Sequence, residues 1–222
     1  MIDHNKKWLL WETKGNYFFE KSFNNVFTEK SWYGYDFFYK EIYGFEFSKN
    51  NCIYELSDCL IKENDVVVDL GANVGFFTYY AATKSKNVIS VEGSPELFSC
   101  LVKNTRELGN VKYLNANIVG DKNKTLNIWS ENPSNINIKL DDIFTLFNID
   151  TIDFLKIDIE GGEYDIFEHL DKDMISRIKK IAIEVHKDDN DNNILINKIN
   201  KNFFFFDWYI GGPTPQKTFY FY

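Results

Sequence analysis

Two apolar runs in the sequence each end in a pair of ionisable residues spaced two apart. Asp158 and Glu160 close IDFLKIDIEG (152–161), and Glu184 and His186 close IKKIAIEVH (178–186). In an extended chain, residues two apart point to the same side. If the two runs are neighbouring strands, their acids and imidazole surround one crevice. Such a set suits proton removal from a weakly acidic hydroxyl. His186 is the leading candidate for the general base, because imidazole titrates near neutrality and a positioned base contributes about 10²–10⁴-fold. Asp158 would orient the imidazole or bind the hydroxyl. Glu160 is the third catalytic candidate, although an acid there, like Glu163, also suits a helix start. Asp158, Glu184 and His186 could instead hold a divalent metal that acidifies the hydroxyl. That alternative is not favoured, and no residue is assigned as a metal ligand. Asp141-Asp142 would join such a set or merely cap a helix, His169 is read as a non-functional residue in a helix of mixed polarity, and His4 as part of a disordered tail.

A second feature is the glycine turn in VVVDLGANVGFF (66–77), where Asp69 precedes Gly71 and Gly75. Gly71 permits a tight turn and Gly75 lets a following helix pack close. That helix's N-terminus offers N–H groups to an anion. A triphosphate loop needs Gly-x-x-x-x-Gly-Lys-Ser/Thr, but Phe76-Phe77 follow Gly75. A nicotinamide fingerprint needs a middle glycine, and Asn73 stands there. S-adenosylmethionine (SAM) carries a carboxylate, an ammonium and a ribose but no phosphate. Asp69 and the turn would serve its amino-acid end, and Glu92 its ribose hydroxyls. A carboxylate at the second strand's tip also serves the NAD ribose, so Glu92 alone does not discriminate.

These residues need an α/β frame. Strands are expected at 66–70, 87–93, 111–119, 152–161 and 178–186, with another, antiparallel, at 124–130. Helices are expected at 74–83, from Ser94-Pro95 to Gly109, and from Glu163. Ser94 is the expected N-cap. Ile194, Leu195 and Ile199 fall at helical spacing, and 203–210 with 217–222 form a terminal strand pair. Strands alternating with helices predict a mostly parallel sheet, with the antiparallel pair at its edge. Residues 1–60 break this rhythm. Trp32, Tyr35, Phe38, Ile42 and Tyr43 share one helical face, so 1–60 is read as an N-terminal helical extension and substrate lid, and 61–222 as the main domain. Trp32, Tyr33 and Tyr35 would pack that extension on the sheet or stack on a sugar.

The chain has 222 residues and a formal net charge of −8, with 44 % hydrophobic and 18 % aromatic residues. That composition supports a packed core and argues against tracking a nucleic-acid backbone. Three cysteines, Cys52, Cys59 and Cys100, are odd in number and have no Cys-x-x-Cys spacing, which argues against a disulfide framework or zinc cluster and fits reduced thiols in the cytoplasm. No apolar run reaches the roughly 20 residues of a membrane span.

In order along the chain, DLGANVG (69–75), VISVEGSPELF (88–98), LNANIVG (114–120), LDDIF (140–144), FLKIDIEGGEYDIF (154–167) and AIEVH (182–186) resemble the FkbM-type family of SAM-dependent methyltransferases. The resemblance covers residues 60–190. It implies a class I, Rossmann-like methyltransferase fold: a three-layer sandwich around a seven-stranded sheet whose last strand is antiparallel. It also implies O-methylation of a sugar, glycan or small hydroxylated metabolite. By position, Asp69, Gly71, Ala72, Asn73 and Gly75 would hold the methionine part, with Asp158 beside them. Glu92, Gly93 and Ser94 would hold the ribose, and Asn117 would lie near the adenine. Gly162 departs from the family, which often has alanine there. Two other readings are a SAM-binding scaffold with little activity and a nucleic-acid methyltransferase. The net charge and the lack of an Asn/Asp-Pro-Pro-Tyr block disfavour the latter.

Overall fold

The computed structural model describes residues 54–55, 58–122, 134–159, 162–185, 197–199 and 218–222, and the backbone alone of strand residues 7–9, 12–13, 16–17, 20–22, 203–208 and 216–217. Seven strands form the main sheet: β1 (Val66–Leu70), β2 (Asn87–Glu92), β3 (Val111–Asn115), β4 (Ile152–Ile157), β5 (Ile178–Val185), β6 (Phe203–Trp208) and β7 (Gln216–Phe221). Their spatial order is β6-β7-β5-β4-β1-β2-β3. β3, β2, β1, β4 and β5 pair in parallel, and β7 runs antiparallel to both β5 and β6. The chain therefore leaves β1 in one direction for β2 and β3, then returns to build β4 and β5 on the other side. Where that order reverses, between β1 and β4, an open α/β sheet has its ligand crevice.

The central strands are buried on both faces, which is why they read as near-continuous apolar runs. One core cluster joins Val68, Leu70, Leu155, Ile157, Ile181 and Ile183 to helices α3 (Leu140–Phe147), α4 (Glu163–His169) and α5 (Lys172–Ser176). The other joins Val67, Val88, Phe154 and Ala182 to α1 (Phe76–Lys84) and to Cys100 of α2 (Pro95–Thr105). Two helical layers thus cover the sheet. On the α1 side the strands change character toward their carboxyl ends. Val67 gives way to Asp69, Val88 to Ser90 and Glu92, Phe154 to Lys156, and Ala182 to Glu184. This alternation by two places a polar layer at the crevice above an apolar floor.

Local signals set the element ends. Ser94 caps α2, its Oγ accepting from the Leu97 amide at 3.4 Å, with Pro95 in the first turn. α2 proper ends at Thr105. A single 3₁₀ turn follows, and Gly109 closes it at φ +74°. α1 begins at Phe76 rather than Val74, because Asn73 and Gly75 are left-handed, at φ +52° and +96°. Asp141 and Asp142 lie in the first turn of α3, and the Asp142 carboxylate accepts from the Lys139 amide at 2.7 Å, so this pair serves the helix start.

The stretch 111–119 is not one strand. β2 ends at Glu92, so the chain beyond Asn115 loses its sheet neighbour. Asn117–Ile118 instead pairs in parallel with Asn137–Ile138. The expected strand at 124–130 lies outside the described residues, as does the helical face from Trp32 to Tyr43. The described parts of the first 60 residues include two short antiparallel ladders, Lys7–Leu9 with Glu20–Ser22 and Glu12–Thr13 with Asn16–Tyr17. Among the described residues, no helix is long and apolar enough to cross a membrane.

Candidate active site

The β1–α1 turn is fixed from both sides. The amides of Gly71 and Ala72 both donate to the Val91 carbonyl, each at 3.0 Å, and the Gly75 amide donates to the Ala72 carbonyl at 2.9 Å. Gly71 sits at φ +75°, and a Cβ there would lie 1.7 Å from the Asp158 carbonyl oxygen. Only a glycine lets the turn lie against the end of β4. A Cβ on Gly75 would lie 2.8 Å from Leu101 Cδ1, so this glycine seats the turn on α2. α1 has no side-chain cap and no acid in its first turn.

Glu92 closes the turn from β2. Its two oxygens accept from the Asn73 amide (2.8 Å) and the Ser94 amide (2.7 Å). Burial pushes its carboxyl above the usual range, opposed by those two amides and by the charge of Lys156. Gly93 packs against Asn117. The Asn117 Nδ2 donates to the Ser134 carbonyl (2.6 Å) and to Asn137 Oδ1 (2.9 Å), which orients the amide and turns its buried Oδ1 toward Gly93. Asn117 thus forms the wall beside Gly93.

Asp69 is fully buried beneath the turn. Its Oδ2 accepts from Thr78 Oγ1 at 2.6 Å, tying β1 to α1, and its Oδ1 stands 3.2 Å from Lys156 Nζ. Lys156, only 1 % exposed, donates to the Gly71 carbonyl at 2.8 Å and lies 3.7 Å from Asp158 Oδ2. A buried ammonium is costly unless paired, and here the two carboxylates and the carbonyl pair it. It also lies 5.2 Å from the Tyr54 ring centroid and 6.0 Å from that of Phe77.

Asp158 continues β4 past its last ladder pair, its amide donating to the Leu70 carbonyl at 3.1 Å. Its Oδ2 accepts from the Tyr54 hydroxyl at 2.9 Å, and Glu184 Oε2 stands 3.1 Å from the same hydroxyl. The expected convergence of β4 and β5 acids is therefore real for Asp158 and Glu184. Glu160 and His186 lie outside the described residues. Glu163 is buried in the first turn of α4. His169 is exposed, its Nδ1 2.9 Å from the Asp165 carbonyl.

At the carboxyl ends of the strands, Gly71, Asn73, Gly93 and Asp158 are half-buried, whereas Asp69, Lys156 and Glu184 are sealed. Among the described residues, the charged groups there are four carboxylates, Asp69, Glu92, Asp158 and Glu184, against the Lys156 ammonium, which is already committed. Such a site repels phosphate and suits ligand hydroxyls and a cation. With the glycine cradle, it fits SAM.

Lys156, Thr78 and Tyr54 were not expected from the sequence. A lysine inside the apolar run FLKI was a usable signal, because a charge at a both-face-buried strand position requires a partner. Tyr54 gave none.

Comparison with known proteins follows the same lines. The model of the methyltransferase FkbM domain matches residues 69–207. Among solved structures, a methyltransferase FkbM from Methylobacillus flagellatus KT superposes with a TM-score of 0.54 at 18 % identity, covering 73 % of this chain and 44 % of that one, so this chain spans under half its length. TrmK from M. capricolum, in complex with S-adenosyl-homocysteine, gives a TM-score of 0.50 at 12 % identity, covering 73 % of this chain and 63 % of that one. At these identities the likeness is one of fold. A comparison with curated proteins finds no match.

Proposed function

The chain belongs to the methyltransferase FkbM family, and from that premise we propose that it moves the methyl group of SAM onto a hydroxyl oxygen of a sugar, glycan or small hydroxylated metabolite. The observation that carries this reading is the set of carboxylates at the β1–β4 crevice, with Asp158 its half-buried member. Bound SAM supplies an electrophilic methyl on a sulfonium.

The chain's own residues hold, orient and deprotonate. Gly71, Ala72, Asn73 and Gly75 cradle the amino-acid end. Asp69 supports that cradle from beneath through Thr78 and Lys156. Glu92, Gly93 and Ser94 take the ribose side, and Asn117 the adenine side. Asp158 accepts a hydrogen bond from the acceptor, His186 removes the proton of the hydroxyl that is methylated, and Glu160 is the third proposed catalytic group. In-line transfer depends on holding acceptor and donor in register, so positioning carries much of the rate. The nearby Lys156 ammonium already supplies positive charge at Asp158, which supports a metal-free site. Activity should persist in a chelator. The buried thiols of Cys59 and Cys100, which form no disulfide, fit a cytoplasmic enzyme. Residues 1–60 are proposed to cover the acceptor side.

The test is transfer from methyl-labelled SAM to a panel of hydroxylated acceptors, amines and RNA. Label recovered as a methyl ether supports the reading. Label only on an amine or on RNA overturns it, and RNA would revive the nucleic-acid alternative. SAM binding with no transfer to any acceptor would favour the scaffold reading.

A further inference from the structure

Tyr54 lies 15 positions before the first residue matched by the family model. Yet it is fully buried at the centre of the site. Its place is set by its neighbour. Glu55, also fully buried, accepts from the Ile61 amide, the Tyr80 hydroxyl and the Lys84 ammonium, which pins the segment to α1. The Tyr54 ring packs edge-on against Phe77, with centroids 5.3 Å apart, and covers Lys156.

The hydroxyl stands between two carboxylates on adjacent strands, 2.9 Å from Asp158 Oδ2 and 3.1 Å from Glu184 Oε2. In the parallel register, Ile157 faces Ile183, so Asp158 and Glu184 are next neighbours beyond the last pair. Two carboxylates side by side repel. A phenol has one proton to donate, which the two carboxylates share, and its ring is fixed edge-on against Phe77, so the hydroxyl sets where the pair can sit. Lys156, 3.7 Å from Asp158, offsets part of the charge, and Asp69 takes part of Lys156. Of the three linked groups, only the Asp158 side chain keeps appreciable exposure, 15 %, against 0 % for Tyr54 and 1 % for Glu184. Asp158 is therefore the member of the linkage that reaches solvent.

We infer that Tyr54 is a positioning residue for acceptor binding: its hydroxyl, shared by Asp158 and Glu184, holds the Asp158 carboxylate in the orientation that receives the acceptor. The segment before the matched region thus completes the site. The inference rests on the hydroxyl-transfer reading above for the identity of the acceptor atom.

The experiment is Tyr54→Phe, which removes one oxygen and keeps the ring on Phe77 and Lys156, alongside Glu184→Gln and the double variant. Tyr54→Phe should lower kcat/KM for the acceptor by about tenfold or more, the cost of a misplaced contact, while SAM affinity is unchanged. Because the two residues act through one linkage, the double variant should lose no more than the worse single variant. Wild-type kcat and KM in Tyr54→Phe would overturn the inference. So would additive losses, or SAM affinity falling in step with kcat/KM. If the wild type methylates only nitrogen acceptors, the hydroxyl reading falls, and the Tyr54 comparison is still decided on that acceptor.

Discussion

On the β1–β2 side of the crevice, Glu92 reaches amides 19 and 2 residues away in sequence. On the β4–β5 side, Tyr54 reaches carboxylates 104 and 130 residues away. The first half is a local construction: β1, the glycine turn, α1, β2 and the α2 cap follow one another and bond to one another. The second half exists only once three distant segments meet. Lys156 joins the halves, bonding the Gly71 carbonyl on one side and standing beside Asp158 on the other. On the proposed function, the contiguous half would hold the cofactor, and the half completed by Tyr54 would meet the acceptor.

If Lys156 is the joint, its loss should damage both halves. Lys156→Met leaves Asp69 uncompensated in the interior, and breaking a buried pair in this way costs about 3–5 kcal/mol. Denaturant unfolding should show that loss together with weaker SAM binding. A loss below about 1 kcal/mol would mean that the halves stand independently. Gly71→Ala probes the cofactor half alone. The left-handed backbone and the overlap with the Asp158 carbonyl should cost at least about 2 kcal/mol and abolish measurable SAM binding.

His186→Ala probes the acceptor half alone. It should lower kcat by about tenfold or more with SAM affinity retained. Unchanged kcat would remove His186 from the chemistry. Gly162→Ala should do least. Its backbone is ordinary right-handed, at φ −93°, and among the described residues the added Cβ would meet the flexible Ile159 side chain, Cδ1 at 2.9 Å and Cγ1 at 3.6 Å. The effect should lie within about 1 kcal/mol in either direction.

Glu92 adds a pH signature to the cofactor half. Its folded-state carboxyl is raised above its ordinary 4.5 by burial. The folded protein therefore holds this proton longer than the unfolded chain does, and stability contributed by Glu92 is lost as pH rises from 4.5 through the folded value. Glu92→Gln should remove that part of the slope while weakening SAM binding. An unchanged slope would show that Glu92 is not strained by its burial.

The same contrast explains what the sequence revealed. The glycine turn, the Ser94-Pro95 helix start and Glu92 at the tip of β2 were legible because each signal and its target lie within a few tens of residues. The parallel sheet with its antiparallel edge was legible from the periodicity of apolar runs. The break after Asn115 was not, because it depends on where the neighbouring strand stops. Asp158 and Glu184 could be placed together from their spacing at strand ends. Their link through Tyr54 could not, since nothing in FSKNNCIYEL marks one tyrosine among 13 as the residue that reaches β4 and β5.

The central claim is that the crevice holds a phosphate-free cofactor, and ligand-dependent thermal unfolding of the wild-type protein tests it most directly. SAM or S-adenosylhomocysteine at about 100 times its Kd should add about 2.7 kcal/mol, a rise of several degrees in Tm, while NAD and ATP leave Tm unchanged. A rise with NAD or ATP and none with SAM would contradict the account.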